Sequence, residues 1–127
     1  MAMQNLSSEA TLVRARQDFA TATELRNDYA LASDRVLSSL AEPELNRMME
    51  TLQVTEEYLA SPNPKHRLAA LLLIDDFWND QNKLLDYAER MAIDDPDSQV
   101  RGIALSILLG LFQRIQSQLV EEVVRDI

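Results

Sequence analysis

One segment of this chain occurs twice, and that repeat limits what the chain can fold into more than any other feature. Asp95-Pro96-Asp97-Ser98-Gln99-Val100-Arg101-Gly102-Ile103-Ala104-Leu105 reads as a tight acidic turn running into a buried helix. A weaker copy, Ser61-Pro62-Asn63-Pro64-Lys65-His66-Arg67-Leu68-Ala69-Ala70-Leu71, lies 34 residues upstream. Pro62 aligns with Pro96, Asn63 with Asp97, Arg67 with Arg101 and Ala70 with Ala104. The correspondence continues through Leu73/Ile107, Ile74/Leu108, Phe77/Leu111 and Trp78/Phe112. A period of this size marks helical units that cannot bury their apolar faces alone and therefore stack.

Around these turns the apolar residues recur at helical spacing. Ser7 and Ser8 read as N-caps, with Glu9 in the first turn. Leu12, Ala15, Phe19, Ala22, Leu25, Tyr29, Ala32, Val36 and Leu40 then form one stripe. The stripe predicts a single long helix in preference to two parted near Ser33-Asp34. Glu42-Pro43-Glu44 opens the next helix, because proline fits the first helical turn. Pro62 and Pro64 end it. An apolar helix from Lys65 to about Trp78 follows, then an amphipathic one from Gln81 to Ile93. Next come a nearly all-apolar helix from Ser98 to about Phe112 and a last helix from Arg114 to Arg125, polar on one side. No alternating strand pattern persists.

A chain of 127 residues is one domain by length and buries enough surface to fold without staples. It has no cysteine, so disulfides, thiolate metal sites and cysteine nucleophiles are excluded. That composition fits a reducing, cytoplasmic setting. Residues 1–8 lack the basic start and apolar run of a signal peptide. The apolar run Ile103–Phe112 is too short for a bilayer span. The net charge of −9 is concentrated after residue 40. An acidic surface repels phosphate backbones and anionic lipid, which argues against nucleic acid and membrane as partners.

The segment from Asp95 to Ala104 resembles the turn and second-helix start of a HEAT-type (armadillo-like) repeat: an acidic turn, a Val-Arg pair, then an alanine where helices approach closely. The resemblance implies an α-α superhelix of antiparallel helix pairs, about six helices in all. Residues 43–79 would form one unit and 80–113 another. Residues 114–127 would be a capping helix, and 1–40 an N-terminal helical cap or arm. It also implies that Arg67 reaches Asp95 across the unit boundary, and that the second helices line a concave face. Lys65, Asp75, Asp76 and Asn79 would then be contact residues. From spacing alone, Asp95 stands within reach of Arg101 and of the helix N-terminal amides; with Arg67 added by the resemblance, Asp95, Arg67 and Arg101 are read as structural.

No catalytic, cofactor or metal site emerges. His66 has no second nitrogen ligand nearby in sequence. Asp94, Asp95 and Asp97 lack the glycine and glutamate that a calcium loop needs. Asp75 and Asp76 point about 100° apart on a helix and do not converge. Trp78 and Phe112 read as core, Met48, Met49 and Met91 as gap-fillers. With two glycines, no phosphate cradle is present. These features predict a non-enzymatic protein-interaction module offering an acidic surface to a basic protein or peptide, with the stripe from Leu12 to Leu40 as the alternative, a homodimer seam. A lyase or nucleic-acid reader of HEAT-like build ranks third.

Overall fold

The computed structural model describes the backbone of residues 2–126 and the side chains of residues 10–125. It is all-helical, with no strand among the described residues. The described residues form seven α-helices in order: α1 (Ala2–Asn27), α2 (Tyr29–Ser38), α3 (Glu42–Met48), α4 (Leu52–Tyr58), α5 (Pro64–Leu73), α6 (Gln81–Asp94) and α7 (Ser98–Asp126). A π-helical turn, Ile74–Trp78, continues α5.

The helix starts follow local chemistry. Thr51 Oγ1 accepts the Val54 amide at 3.0 Å and caps α4. Asn63 Oδ1 accepts the Lys65 amide at 3.0 Å at the head of α5, where Pro64 takes the first position. Asp80 Oδ1 accepts the Lys83 amide at 3.1 Å and starts α6. Asp97 Oδ1 accepts the amides of Gln99 and Val100, at 2.9 and 3.1 Å, and starts α7. Each cap satisfies amides that have no partner within the helix. Asn63 and Asp97, equivalent in the repeated segment, thus do the same work. Ala70 and Ala104, also equivalent, are both fully buried.

α5 and the first half of α7 form the centre. Every residue from Leu68 to Ile74 is buried, and nearly every residue from Val100 to Leu111. A helix buried at consecutive positions is covered on all sides. For α5 the covering elements include α4, α6, α7 and α2; for α7 they include α6, α5 and α1. The faces of α5 and α7 expected to line an open concave groove are therefore occupied in part by the chain's own N-terminal helices. α1 and α7 run parallel, since Asp18 meets Arg101 and Arg26 reaches the Ser106 carbonyl further along. Gly102 allows this approach: a Cβ there would lie 3.0 Å from the Thr21 methyl.

Four boundaries differ from the sequence expectation. The N-terminal stripe is not the single long helix expected: it breaks at Asp28 (φ −139°, ψ 40°), and Ser33, the alternative break point, is buried inside α2. Ser7 and Ser8 lie within α1 instead of capping it, and their side chains fall outside the described residues. The helix opened by Glu42-Pro43 divides into α3 and α4. The division is held from inside: Thr55 Oγ1 donates to the Met48 carbonyl and accepts the Trp78 indole N–H at 2.9 Å. Lastly, residues 114–126 are not a separate capping helix. They continue α7 without interruption, since no glycine, proline or competing cap stands between Leu111 and Gln116.

Candidate functional site

The four residues expected to form a contact surface do not converge. Lys65 is exposed at the head of α5, beside a cavity of about 540 Å³ also lined by Arg35, Asn63, Asp97 and Gln99. Asp75, Asp76 and Asn79 stand at the other end of the same helix, about 15–20 Å away at helical rise. Asp75 is an interior acceptor, not an open contact. Its side chain is 12% exposed and takes the Tyr29 hydroxyl at 2.6 Å, with Arg114 Nη2 at 3.9 Å. Asp76 accepts Ser33 Oγ at 3.1 Å. Both carboxylates therefore fasten α2 to the π-helical turn.

Burial pushes the Tyr29 phenol far above its usual range, and the hydrogen bond to Asp75 adds to the shift, so it stays a donor. Partial burial raises Asp76 above its ordinary 3.8, with the Asp75 charge adding to the effect and the Ser33 bond opposing it. The folded chain therefore keeps a proton on Asp76 at a pH where the unfolded chain has released it. Ionising Asp76 costs stability as pH rises through and beyond 3.8. Asp76→Asn keeps an acceptor for Ser33 without the charge. It is expected to stabilise the fold at pH 7 by less than ~1 kcal/mol, with the gain disappearing below the unfolded-state value. Denaturant melts across pH check this, and a variant equal to the parent at pH 7 refutes it.

Asn79 closes the π-helical turn at φ 53°, ψ 40°, the left-handed region, where asparagine is tolerated better than other non-glycine residues. Asn79→Ala is expected to lose ~1 kcal/mol, and Asn79→Gly to match or exceed the parent. Thermal melts of the pair decide it; an alanine variant as stable as the glycine one removes the backbone argument.

Asp95 and Arg101 sit at a structural node whose pairing differs from the spacing argument. Asp95 binds Arg67 through two bonds, Nε to Oδ2 at 2.9 Å and Nη2 to Oδ1 at 3.0 Å. Arg101 does not take the Asp95 carboxylate. Its Nη1 donates to the backbone carbonyls of Asp95 and Pro96 at 3.0 and 3.1 Å, and its Nε to Asp18 Oδ2 on α1 at 3.0 Å. Helix-start amides go chiefly to Asp97. His66 is a packed residue that meets Glu44 and Ser61 and stands edge-on to Tyr58. Among the described residues no group of three or more metal-ligating side chains converges.

The sequence predicts the outer half of α7 as a cap with one apolar side. Among the described residues, nothing covers that side. Phe112 is 56% exposed, Ile115 45%, Leu119 55%, Val120 61%, Val123 59% and Val124 64%. At 100° per residue these six fall within one half of the helix surface, which they share with Gln113 and Gln116. Phe112 is thus not core, although its repeat equivalent Trp78 is half-buried. The sequence signal is an apolar stripe on a helix with no breaker before it. Ser98–Arg125 is long and apolar enough by composition to cross a membrane. Its first half, however, is core, and the exposed half spans about 20 Å against ~30 Å of hydrocarbon. The N-terminal stripe is divided: Leu12 and Phe19 are exposed, Ala22 is fully buried and Asp18 is tied to Arg101.

No family model matches the chain, and no curated protein or solved structure does so.

Proposed function

We propose that this chain is a non-enzymatic protein-interaction module whose docking face is the outer half of α7. The observation that carries this reading is the exposed apolar arc from Phe112 to Val124, interrupted only by Gln113 and Gln116, on a helix rooted in the core. Monomers rarely expose a contiguous patch of this kind without using it, because covering it is favourable. In this reading α4/α5 and α6/α7 are stacked helix pairs of the HEAT-like type, extended by α1 and α2. The resemblance of the segment at 95–104 and the equal roles of Asn63 and Asp97 support that arrangement. The net charge of −9 favours a basic rim on any foreign partner and association that weakens with salt. The absence of cysteine is consistent with a cytoplasmic setting. Nucleic acid remains disfavoured by charge.

The experiment is affinity capture from native extract with the parent chain and with Leu119→Asp. Leu119 is solvent-facing, so the substitution leaves the core intact. A protein retained by the parent and lost by the variant supports the reading. Equal retention by both moves the docking face elsewhere.

A further inference from the structure

We propose that the cleft between α2 and the heads of α5 and α7 binds a small organic anion, a single carboxylate on an apolar body. The site is separate from the α7 face and stands without it. The cleft is the cavity of about 540 Å³ beside Lys65, within the ~300–1,000 Å³ of ordinary small-ligand sites. Both copies of the repeated segment line it. Asn63 and Lys65 come from one copy, and their equivalents Asp97 and Gln99 from the other.

The floor of the cleft is apolar. Leu68 and Ile103 belong to the core, and Leu25 and Val36 pack against it. Hydrocarbon laid on that floor leaves water, which favours an apolar body. The charged lining is Arg35 and Lys65 against Asp97, a balance of one positive charge. Such a lining matches a single negative charge, and a chain of net charge −9 repels a dianion more strongly than a monoanion. The helix-start amides are already taken: Asn63 holds that of Lys65, and Asp97 those of Gln99 and Val100. Recognition of the anion therefore falls to the cationic side chains.

Those two side chains are uncommitted. Elsewhere ion pairs hold Arg14, Arg67, Lys83, Arg90, Arg101 and Arg114. The side chains of Arg35 and Lys65 make no ion pair or hydrogen bond among the described residues. Acidic residues number 21 against 12 basic ones. Two unpaired cations on one cleft therefore do not reflect a shortage of carboxylates. A guanidinium takes a carboxylate through two parallel bonds, and lysine adds a compact point charge.

The test is a titration of the full, isotope-labelled chain with octanoate, followed by amide chemical shifts. The amides of Lys65, Gln99 and Ile103 are expected to shift together and to saturate at millimolar octanoate. Octanol, which lacks the charge, and acetate, which lacks the body, are each expected to bind at least ~10-fold more weakly. Arg35→Ala and Lys65→Ala are each expected to weaken octanoate about tenfold. Their melting temperatures are expected to match the parent, because neither side chain has a partner to lose. Arg47→Ala removes the same charge outside the cleft and is expected to bind octanoate like the parent. No shift at the three amides overturns the proposal. Shifts confined to residues 112–124 also overturn it, since octanoate then only coats the exposed stripe. So does octanol or acetate binding as tightly as octanoate. An equal loss in Arg47→Ala reduces the effect to net charge and overturns it as well.

Discussion

Arg67→Ala is expected to destabilise the fold by about 3–5 kcal/mol, the largest effect of any single substitution outside the apolar core. Arg67 and Asp95 form a two-bond pair with side chains 12% and 5% exposed. Removing the guanidinium leaves a shielded carboxylate whose remaining protein donor is the Asp97 amide at 2.9 Å. It also removes the Nη1 bond to the Ser61 carbonyl, at 2.9 Å, that ties together the turn ahead of α5. Asp95→Ala is expected to cost a similar amount, and the double variant much less than the sum. Arg67→Lys restores charge but not the two-bond geometry and is expected to recover only part of the loss. Urea denaturation of the parent and these four variants measures this. Additive losses would mean that the pair does not act as a unit. Asp95 and Arg101 are expected to couple more weakly, because Arg101 uses the Asp95 carbonyl, which survives substitution of the side chain.

The second large effect is expected at Asp18. Its carboxylate holds Arg101 Nε at 3.0 Å with both side chains nearly buried, and no other ion pair among the described residues joins α1 to α7. Asp18→Ala is expected to cost ~1.5–3 kcal/mol, less than at Arg67 because Arg101 keeps two backbone carbonyls. The loss should be local. α1 is anchored by Ala22, Leu25 and this pair, while Leu12, Val13 and Phe19 face solvent. Amide exchange is therefore expected to speed up through α1 and stay protected in α5. Unchanged exchange in α1 would show that apolar packing alone secures it.

The parts of the fold readable in the sequence are those fixed by neighbours along the chain. Pro62, Pro64 and Asn63 mark one turn, Asp95, Pro96 and Asp97 the other, and Asp80 the start of α6, because caps and prolines act within a few residues. Consecutive apolar residues from Leu68 to Ile74 mark a strongly apolar helix, but not one enclosed on every side, since the sequence expectation has its face lining an open groove. What encloses it was not readable. Ala22 and Leu25 look like any thin stripe until α7 is laid against them. The gap between α3 and α4 carries no glycine or proline, and depends on Thr55 meeting Trp78 across the core. Asp75 and Asp76 look like surface charges in a helix; only the placement of Tyr29 and Ser33 gives them partners, with Asp75 drawn inward and Asp76 left at the surface. Arg101 had a carboxylate nearby in sequence and took another, 83 residues away. The exposed stripe on α7 was visible as a stripe, but its lack of cover is a property of the assembled chain.

The unbroken course of α7 has a mechanical consequence. A rod of nearly thirty residues clamped along one half and free along the other behaves as a cantilever: it transmits bending and twist from its tip to its root instead of absorbing them at a hinge. Whatever grips the tip is held at a set bearing relative to the clamped half. A single glycine pair inserted near residue 112 would turn that strut into a tether.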